Sequence, residues 1–397
     1  MLKNNSIPHF VFLRRLPETL QWGGLEKVMM DWFERIDFTS CKVTLAISAG
    51  GKKLFSQRFN EKNLPIEIIE IPFDLYGKSF NLFFNTYKFL KPLKANKAIF
   101  IQGAFTDFRL GAIAAGYLLT KNNVFMHENL ATPMPTHESG FKLKLQRFVN
   151  SLRGFLSQKI IVVSQEIRDQ LIQRWGYATD KVIVFYHGID LNKIYLIPDK
   201  KLSVRQSLNI PMEDFVFIIP ARLSKEKRID RILEAFDRLF NLHTNIWLLI
   251  IGDGDQKENL QSIVQKMESQ TRIFFLGYKE NIVDYLNASD CYVNSSDIEG
   301  LCIALLEAMA CGNICVATKC AGPTELLNQS KAGFLVDKNV EGVFEGMKKA
   351  VELNLAKRQV FIKNGIIFTQ KHFELNSLVQ NFLNSIQIPS LVFNLKD

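Results

Sequence analysis

Short apolar runs of strand character alternate with helical stretches along the whole chain, the pattern that a parallel sheet with covering helices requires. Seven runs precede residue 190, at 9–13, 42–47, 66–71, 98–101, 124–126, 160–163 and 182–185. A polar stretch around Pro198-Asp199-Lys200-Lys201 interrupts the series, and six more runs follow, at 215–219, 247–251, 273–275, 291–293, 314–316 and 333–336. Two Rossmann-like α/β halves, each doubly wound, are expected, and 397 residues supply a core for both. Two such sheets facing each other form a cleft, and ligands of doubly wound sheets sit outside the carboxyl ends of the strands. The expected divisions are an N-terminal domain over 1–190, a C-terminal domain over 191–370, and a helical segment over 371–397 that packs back on the N-terminal domain.

No uncharged apolar run approaches the roughly 18 residues of a membrane span. The opening MLKNNSIPHFVFLRRLPETL is broken by Asn, Pro and Arg before an apolar region can form, so no secretory signal is expected and the protein is placed in the cytoplasm. Five of the six cysteines fall between Cys291 and Cys320 with no CxxC and no His among them, which reads as buried thiols rather than a metal or redox site. Charge is uneven. Residues 1–200 carry 27 Lys and Arg against 17 Asp and Glu, whereas residues 201–397 carry 22 against 23. By charge alone the basic half is open to nucleic acid, an anionic membrane surface or a phosphate-bearing ligand.

The most informative stretch runs from Asn294 to Gly312, out of a strand, through the polar loop Ser295-Ser296-Asp297-Ile298-Glu299-Gly300-Leu301 and into an apolar helix. Glu299 is expected just before the helix and Glu307 about two turns inside it. A carboxylate in so apolar a helix needs a partner, because burying an unpaired charge costs several kcal/mol. A sugar diol, whose two hydroxyls both donate, is one such partner; a solvated Glu299 and a salt-bridged Glu307 are the plain alternative. Upstream, the strand at 215–219 leads into Pro220-Ala221-Arg222-Leu223-Ser224-Lys225-Glu226-Lys227-Arg228. Arg222 as a planar fork and Lys227 as a point charge suit a diphosphate, and cations at a helix start oppose its dipole and so ask for an anion nearby. Gly23-Gly24 before a helix allows close approach of phosphate to free amides, or is a tight turn. Gly252-Asp253-Gly254-Asp255 lacks the third glycine of a dinucleotide fingerprint and reads as a turn, with no metal assigned. His127 ends a strand, where a side chain opens onto the expected cleft.

Taken together these residues resemble a retaining glycosyltransferase of family 4, with the two-domain GT-B fold. Glu299 and Glu307 match the family's Glu-x7-Glu motif, Gly312 and Ala321-Gly322-Pro323-Thr324-Glu325 its following elements, and Arg222 with Lys227 its diphosphate-holding pair. Residues 159–164, Tyr186-His187-Gly188-Ile189-Asp190 and the Gly23-Gly24 loop resemble further family segments. Ala221 and Ala321 stand where glycine is usual, His187 where asparagine is, and Ile314 where proline is common.

The resemblance implies transfer of a sugar from a nucleotide diphosphate, a UDP-sugar in preference to GDP-mannose, with retained anomeric configuration and no metal or other cofactor. It implies that Glu299, with Gly300 and Leu301, binds the donor sugar, Glu307 the ribose hydroxyls, Arg222 and Lys227 the pyrophosphate, and that Gly23 and Gly24 also meet the donor. His127 would face the sugar near the reacting carbon. The expected acceptor is a glycan or a lipid-linked molecule of cell-envelope polysaccharide or lipopolysaccharide synthesis; nucleic acid is not an expected partner. Two other readings stay open: a non-catalytic binding subunit, and a sugar-nucleotide epimerase or hydrolase of the same fold. In the basic half, residues 141–156 place Leu145, Phe148, Val149, Leu152 and Phe155-Leu156 on one helical stripe with Lys144, Arg147 and Arg153 off it. With the Phe- and Lys-rich segment 78–97, this suggests peripheral contact with the cytosolic face of an anionic membrane; a stripe that is simply core is the alternative.

Overall fold

Every expected run is a strand in the computed structural model, which describes residues 7–15, 24–48, 50–73, 79–102, 110–121, 123–128 and 140–389. The chain divides into two units, one of Met1–His187 with Asn376–Asp397 and one of Gly188–Leu375.

In the first unit the strands are β1 (His9–Arg14), β2 (Lys42–Ser48), β3 (Glu67–Ile71), β4 (Lys97–Gln102), β5 (Val124–Glu128), β6 (Lys159–Val162) and β7 (Val182–Val184). All pairs are parallel, in the order β3-β2-β1-β4-β5-β6-β7. Every residue of β1 is buried, as a parallel strand covered on both faces must be, which is why it reads as an unbroken apolar run rather than an alternating one.

The second unit holds β8 (Phe215–Pro220), β9 (Ile246–Ile251), β10 (Ile273–Gly277), β11 (Cys291–Asn294), β12 (Ile314–Thr318) and β13 (Gly333–Val336), again parallel, in the order β10-β9-β8-β11-β12-β13. Helix Ile229–Phe240 lays Ile229, Ile232, Leu233, Phe236 and Leu239 into the core of this unit at helical spacing. Arg205 is fully buried but satisfied: its guanidinium donates to the carbonyls of Ala288, Pro211, Met212 and Asp214 and pairs with Asp290 at 2.7 Å.

Of the segment expected after residue 371, Lys371 and His372 end the preceding helix and Leu375–Ser385 form a helix of their own. Helix Leu355–His372 belongs to the second unit, and helix Leu375–Ser385 falls almost wholly in the first. There Phe382 stacks on Trp32 with ring centroids 4.3 Å apart, and the buried Lys97 ammonium donates to the carbonyls of Ile386 and Gln387 and to Gln387 Oε1. All six cysteines are free thiols, five of them buried and Cys302 half-buried.

Helix Gly140–Leu156 departs from the alternative in which its apolar stripe is simply core, and from the expected placement of Arg153. Leu145, Phe148 and Phe155 are exposed, whereas Arg153, expected off the apolar stripe, is buried with Asn150 and Gly154. The inner face is set by close approach: a Cβ on Gly154 would lie 2.8 Å from Tyr177 Cδ1.

Candidate functional site

In each sheet the strand order reverses next to the first strand, between β1 and β4 and between β8 and β11. Such a switch point is where two loops diverge and leave a crevice at the carboxyl ends. In the second unit the two loops are those that the sequence singled out. The loop after β8 carries Arg222 and Lys227, and the loop after β11 carries Glu299.

The loops are tied to each other by their backbones. Asp297 N donates to Glu226 O at 2.9 Å, and Ser295 Oγ donates to the carbonyls of Lys227 at 3.0 Å and Arg228 at 2.6 Å. Arg231, from the following helix, donates to Ser295 O and pairs with Asp297 at 3.0 Å. Two glycine pairs bring further backbone against them. A Cβ on Gly252 would lie 1.9 Å from Ala221 O, and one on Gly254 2.4 Å from Leu223 O. Thus the Gly252-Asp253-Gly254-Asp255 turn is a buttress for the Arg222 loop: Leu223 N donates to Asp253 O, and Gln256 N to Leu223 O. On the other side a Cβ on Gly322 would strike Gly300 O at 2.1 Å, so the helix Ala321–Ser330 starts flush against Gly300-Leu301.

This frame brings Lys227 Nζ to 2.7 Å from Glu299 Oε1. The same oxygen accepts from Asn294 Nδ2 at 2.9 Å and Ser296 Oγ at 2.7 Å, while Oε2 accepts from no described residue. Asn294 is itself held, its Oδ1 accepting from Ser296 N. Burial works against both charges. The Lys227 ammonium is nevertheless held above its ordinary pKa by the charge of Glu299, and the Glu299 carboxyl below its own by Lys227, Ser296 and Asn294. Both groups are therefore charged at neutral pH, with the second carboxylate oxygen left over for a donor.

Arg222 is exposed, and its guanidinium makes no ion pair or hydrogen bond among the described residues, while its carbonyl accepts from Ser224 N. The dipole argument for a ligand anion needs correcting, however, because the chain supplies anions of its own. Lys225–Lys227 form a 3-10 turn, the helix begins only at Ile229, and Arg228 pairs with Asp230 at 2.9 Å and Asp297 at 3.5 Å. A second correction concerns Glu307. Helix Ile303–Ala310 starts later than expected, after Cys302 takes a left-handed φ of 66°, so the buried Glu307 lies little more than one turn inside it. Gly300 and Leu301 are buried in the loop between the two glutamates.

The first-unit residues are placed differently. Gly24 opens helix Gly24–Phe33 with open space where its Cβ would be, and Gly23 lies outside the described residues. His127, at the end of β5, is 0% exposed and so does not open to the surface. It stacks on His187 at 5.3 Å and meets Trp32 edge-on at 4.9 Å. Burial, then the neighbouring His187, then Arg14, keep it neutral with a pKa well below the ordinary histidine value. Nearby in sequence terms, Arg14 and Glu26 form a buried ion pair of 3.0 Å across the β1-to-helix connection.

Asn294 and Ser296 were not singled out from the sequence. The available signal was an amide and a hydroxyl at a strand end, five and three residues before an acidic loop residue.

Residues 200–367 match the family described as Glycosyl transferases group 1, and residues 22–193 match Glycosyltransferase Family 4. The chain is 26% identical over 254 residues to the glycosyltransferase MJ1059 of Methanocaldococcus jannaschii, covering 62% of each chain. It is 25% identical over 243 residues to the N-acetylgalactosamine-N,N'-diacetylbacillosaminyl-diphospho-undecaprenol 4-alpha-N-acetylgalactosaminyltransferase of Campylobacter jejuni, covering 61% of this chain and 64% of that one. Each match thus spans less than two thirds of the relative's length. Among solved structures, Anabaena HepE in complex with UDP and glucose superposes with a TM-score of 0.75 at 19% identity, over 96% of this chain and 99% of that one. Fold and sequence agree that the chain belongs to the glycosyltransferases, with a family 4 N-terminal half and a group 1 C-terminal half in the GT-B fold.

Proposed function

We propose that the protein transfers a sugar from a nucleotide diphosphate, preferentially a UDP-sugar, to a glycan or lipid-linked acceptor of the cell envelope, with retention of anomeric configuration. The observation that carries this is the Lys227–Glu299 pair at the β8/β11 switch point, with one carboxylate oxygen unoccupied, and the Arg222 guanidinium on the Lys227 loop unpaired, among the described residues. In this reading Glu299 Oε2 accepts a donor-sugar hydroxyl, supported by the amides of Gly300 and Leu301, and Glu307 takes the ribose diol. Arg222 and Lys227 neutralise the diphosphate as the anomeric C–O bond breaks. Preorganised cations at a developing anion are commonly worth a few kcal/mol each. The acceptor oxygen bonds to the same face of the anomeric carbon, and its proton passes to the leaving phosphate oxygen. Charge neutralisation is thereby assigned to side chains, with no metal required. His127, sealed among aromatic rings, is assigned to shaping the end of β5. The HepE complex with UDP and glucose and the undecaprenol-linked name of the Campylobacter relative favour a UDP-sugar and a lipid-linked acceptor.

The test is a panel of UDP-sugars and GDP-mannose with a polyprenyl-diphosphate-sugar acceptor, run with and without EDTA, and the product's anomeric configuration read by NMR. Lys227→Ala and Glu299→Ala are each expected to lower transfer by about a hundredfold or more in a folded protein. Undiminished turnover in either variant refutes the assignment. Free sugar as the sole product would identify a hydrolase, and an isomerised nucleotide sugar an epimerase.

A further inference from the structure

Helices Ser79–Leu90, Leu110–Thr120 and Gly140–Leu156 follow β3, β4 and β5 in the chain, so right-handed crossovers set them on one side of the first unit's sheet. They pack side by side in that order. Residues 79–94, 110–121 and 140–156, which make up this layer, include no Asp or Glu at all. Six of their cations, Lys88, Lys91, Lys94, Lys121, Lys144 and Arg147, are exposed, whereas Arg153 is buried.

The same outer surface shows large apolar side chains that a monomer in water has no reason to keep there. Phe80 is 73% exposed, Phe141 78%, Phe148 67% and Phe155 68%, with Phe84, Leu118 and Leu145 exposed beside them. The spacing is that of a single helical face. In Gly140–Leu156 the exposed residues Phe141, Lys144, Leu145, Phe148 and Phe155 recur every three, four or seven positions. Aromatic rings interleaved with lysine and arginine on an outward helical face match the interfacial zone of a bilayer, where rings enter the acyl boundary and cations meet lipid phosphates.

We propose that this three-helix layer docks on an anionic lipid bilayer. A second copy of the chain is disfavoured as the occupant, since a two-fold contact sets a surface against itself and would appose cations with no carboxylate among them. No helix among the described residues is long and apolar enough to cross a membrane, so the attachment is peripheral. The inference does not depend on the donor site.

Flotation with vesicles tests it, comparing phosphatidylcholine alone with phosphatidylcholine containing phosphatidylglycerol, at low and high salt. Binding is expected only to the anionic vesicles, and is expected to fall at least tenfold at high salt. A double variant Phe148→Ser with Phe155→Ser, and another Lys144→Glu with Arg147→Glu, should each bind at least tenfold more weakly with an unchanged melting curve, since all four side chains are exposed. Absent binding, equal binding to neutral vesicles, or variants that bind like the parent would overturn the proposal. A dimer seen by light scattering and dissolved by the phenylalanine variant would reassign the face to self-association. Transfer to a soluble acceptor, measured alongside, separates loss of docking from failure of the catalytic reading.

Discussion

At the residue scale, Glu299 keeps its charge under burial because three donors converge on Oε1, one from the end of β11, one from its own loop and one from the loop after β8. Removing Ser296 Oγ leaves Lys227 and Asn294 in place but weakens the hold on the ionised form. A hydrogen bond to a charged group contributes about 1.5–3 kcal/mol. Ser296→Ala should therefore lower kcat/KM by roughly tenfold or more. It should also move the acid limb of the pH–rate profile to higher pH, because the donors that depress the Glu299 pKa are fewer. An unshifted limb would show that Glu299 does not govern it. Glu299 and Lys227 stood out in the sequence as charges in loops that leave strand ends. Ser296 and Asn294 did not, since a hydroxyl or an amide in such a loop gains meaning only from what it touches.

At the scale of elements, the thirteen strands were readable as apolar runs, whereas the inner and outer faces of helix Gly140–Leu156 were not. That helix packs through Asn150, Arg153 and Gly154, and the tight contact of Gly154 with Tyr177, not hydrophobicity, decides which face turns inward. The final helix, Leu375–Ser385, shows the opposite case, in which apolar residues do mark the buried face. Val379, Phe382, Leu383, Ile386 and Ile388, on the helix and just beyond it, are buried, and Lys97 anchors the turn that follows. Burying each such side chain is worth about 1.5–3 kcal/mol. Truncation after Leu375 should accordingly destabilise the first unit by several kcal/mol, read as a lower urea midpoint by Trp32 fluorescence. An unchanged midpoint would mean that this helix is only an appendage.

For the whole molecule, stability and pH are linked through histidines that fold into apolar surroundings. Burial pushes the His187 pKa down to about 3, and that of His127 also falls well below the ordinary value. Both rings are neutral in the fold and near 6.5 in the unfolded chain, so they cost nothing above that pH. As pH falls below about 6.5 the unfolded chain takes up protons that the fold refuses, and stability drops toward the folded pKa. The urea midpoint should fall between pH 7.5 and pH 5, and His187→Gln should reduce that fall; equal slopes in the two proteins would place the acid sensitivity elsewhere. By itself the sequence determined two parallel α/β sheets and their strand boundaries to within a residue or two, and it singled out Lys227 and Glu299 as loop charges, because burial on both faces and charge beside a strand end leave direct marks in residue type. Only the tertiary structure decided that Lys227 and Glu299 are partners, that Asp230 and Asp297 already answer Arg228, that His127 is sealed, and that the phenylalanines of Gly140–Leu156 face out. Those outcomes depend on which surfaces meet across distances of tens of residues, and neither periodicity nor composition encodes that meeting.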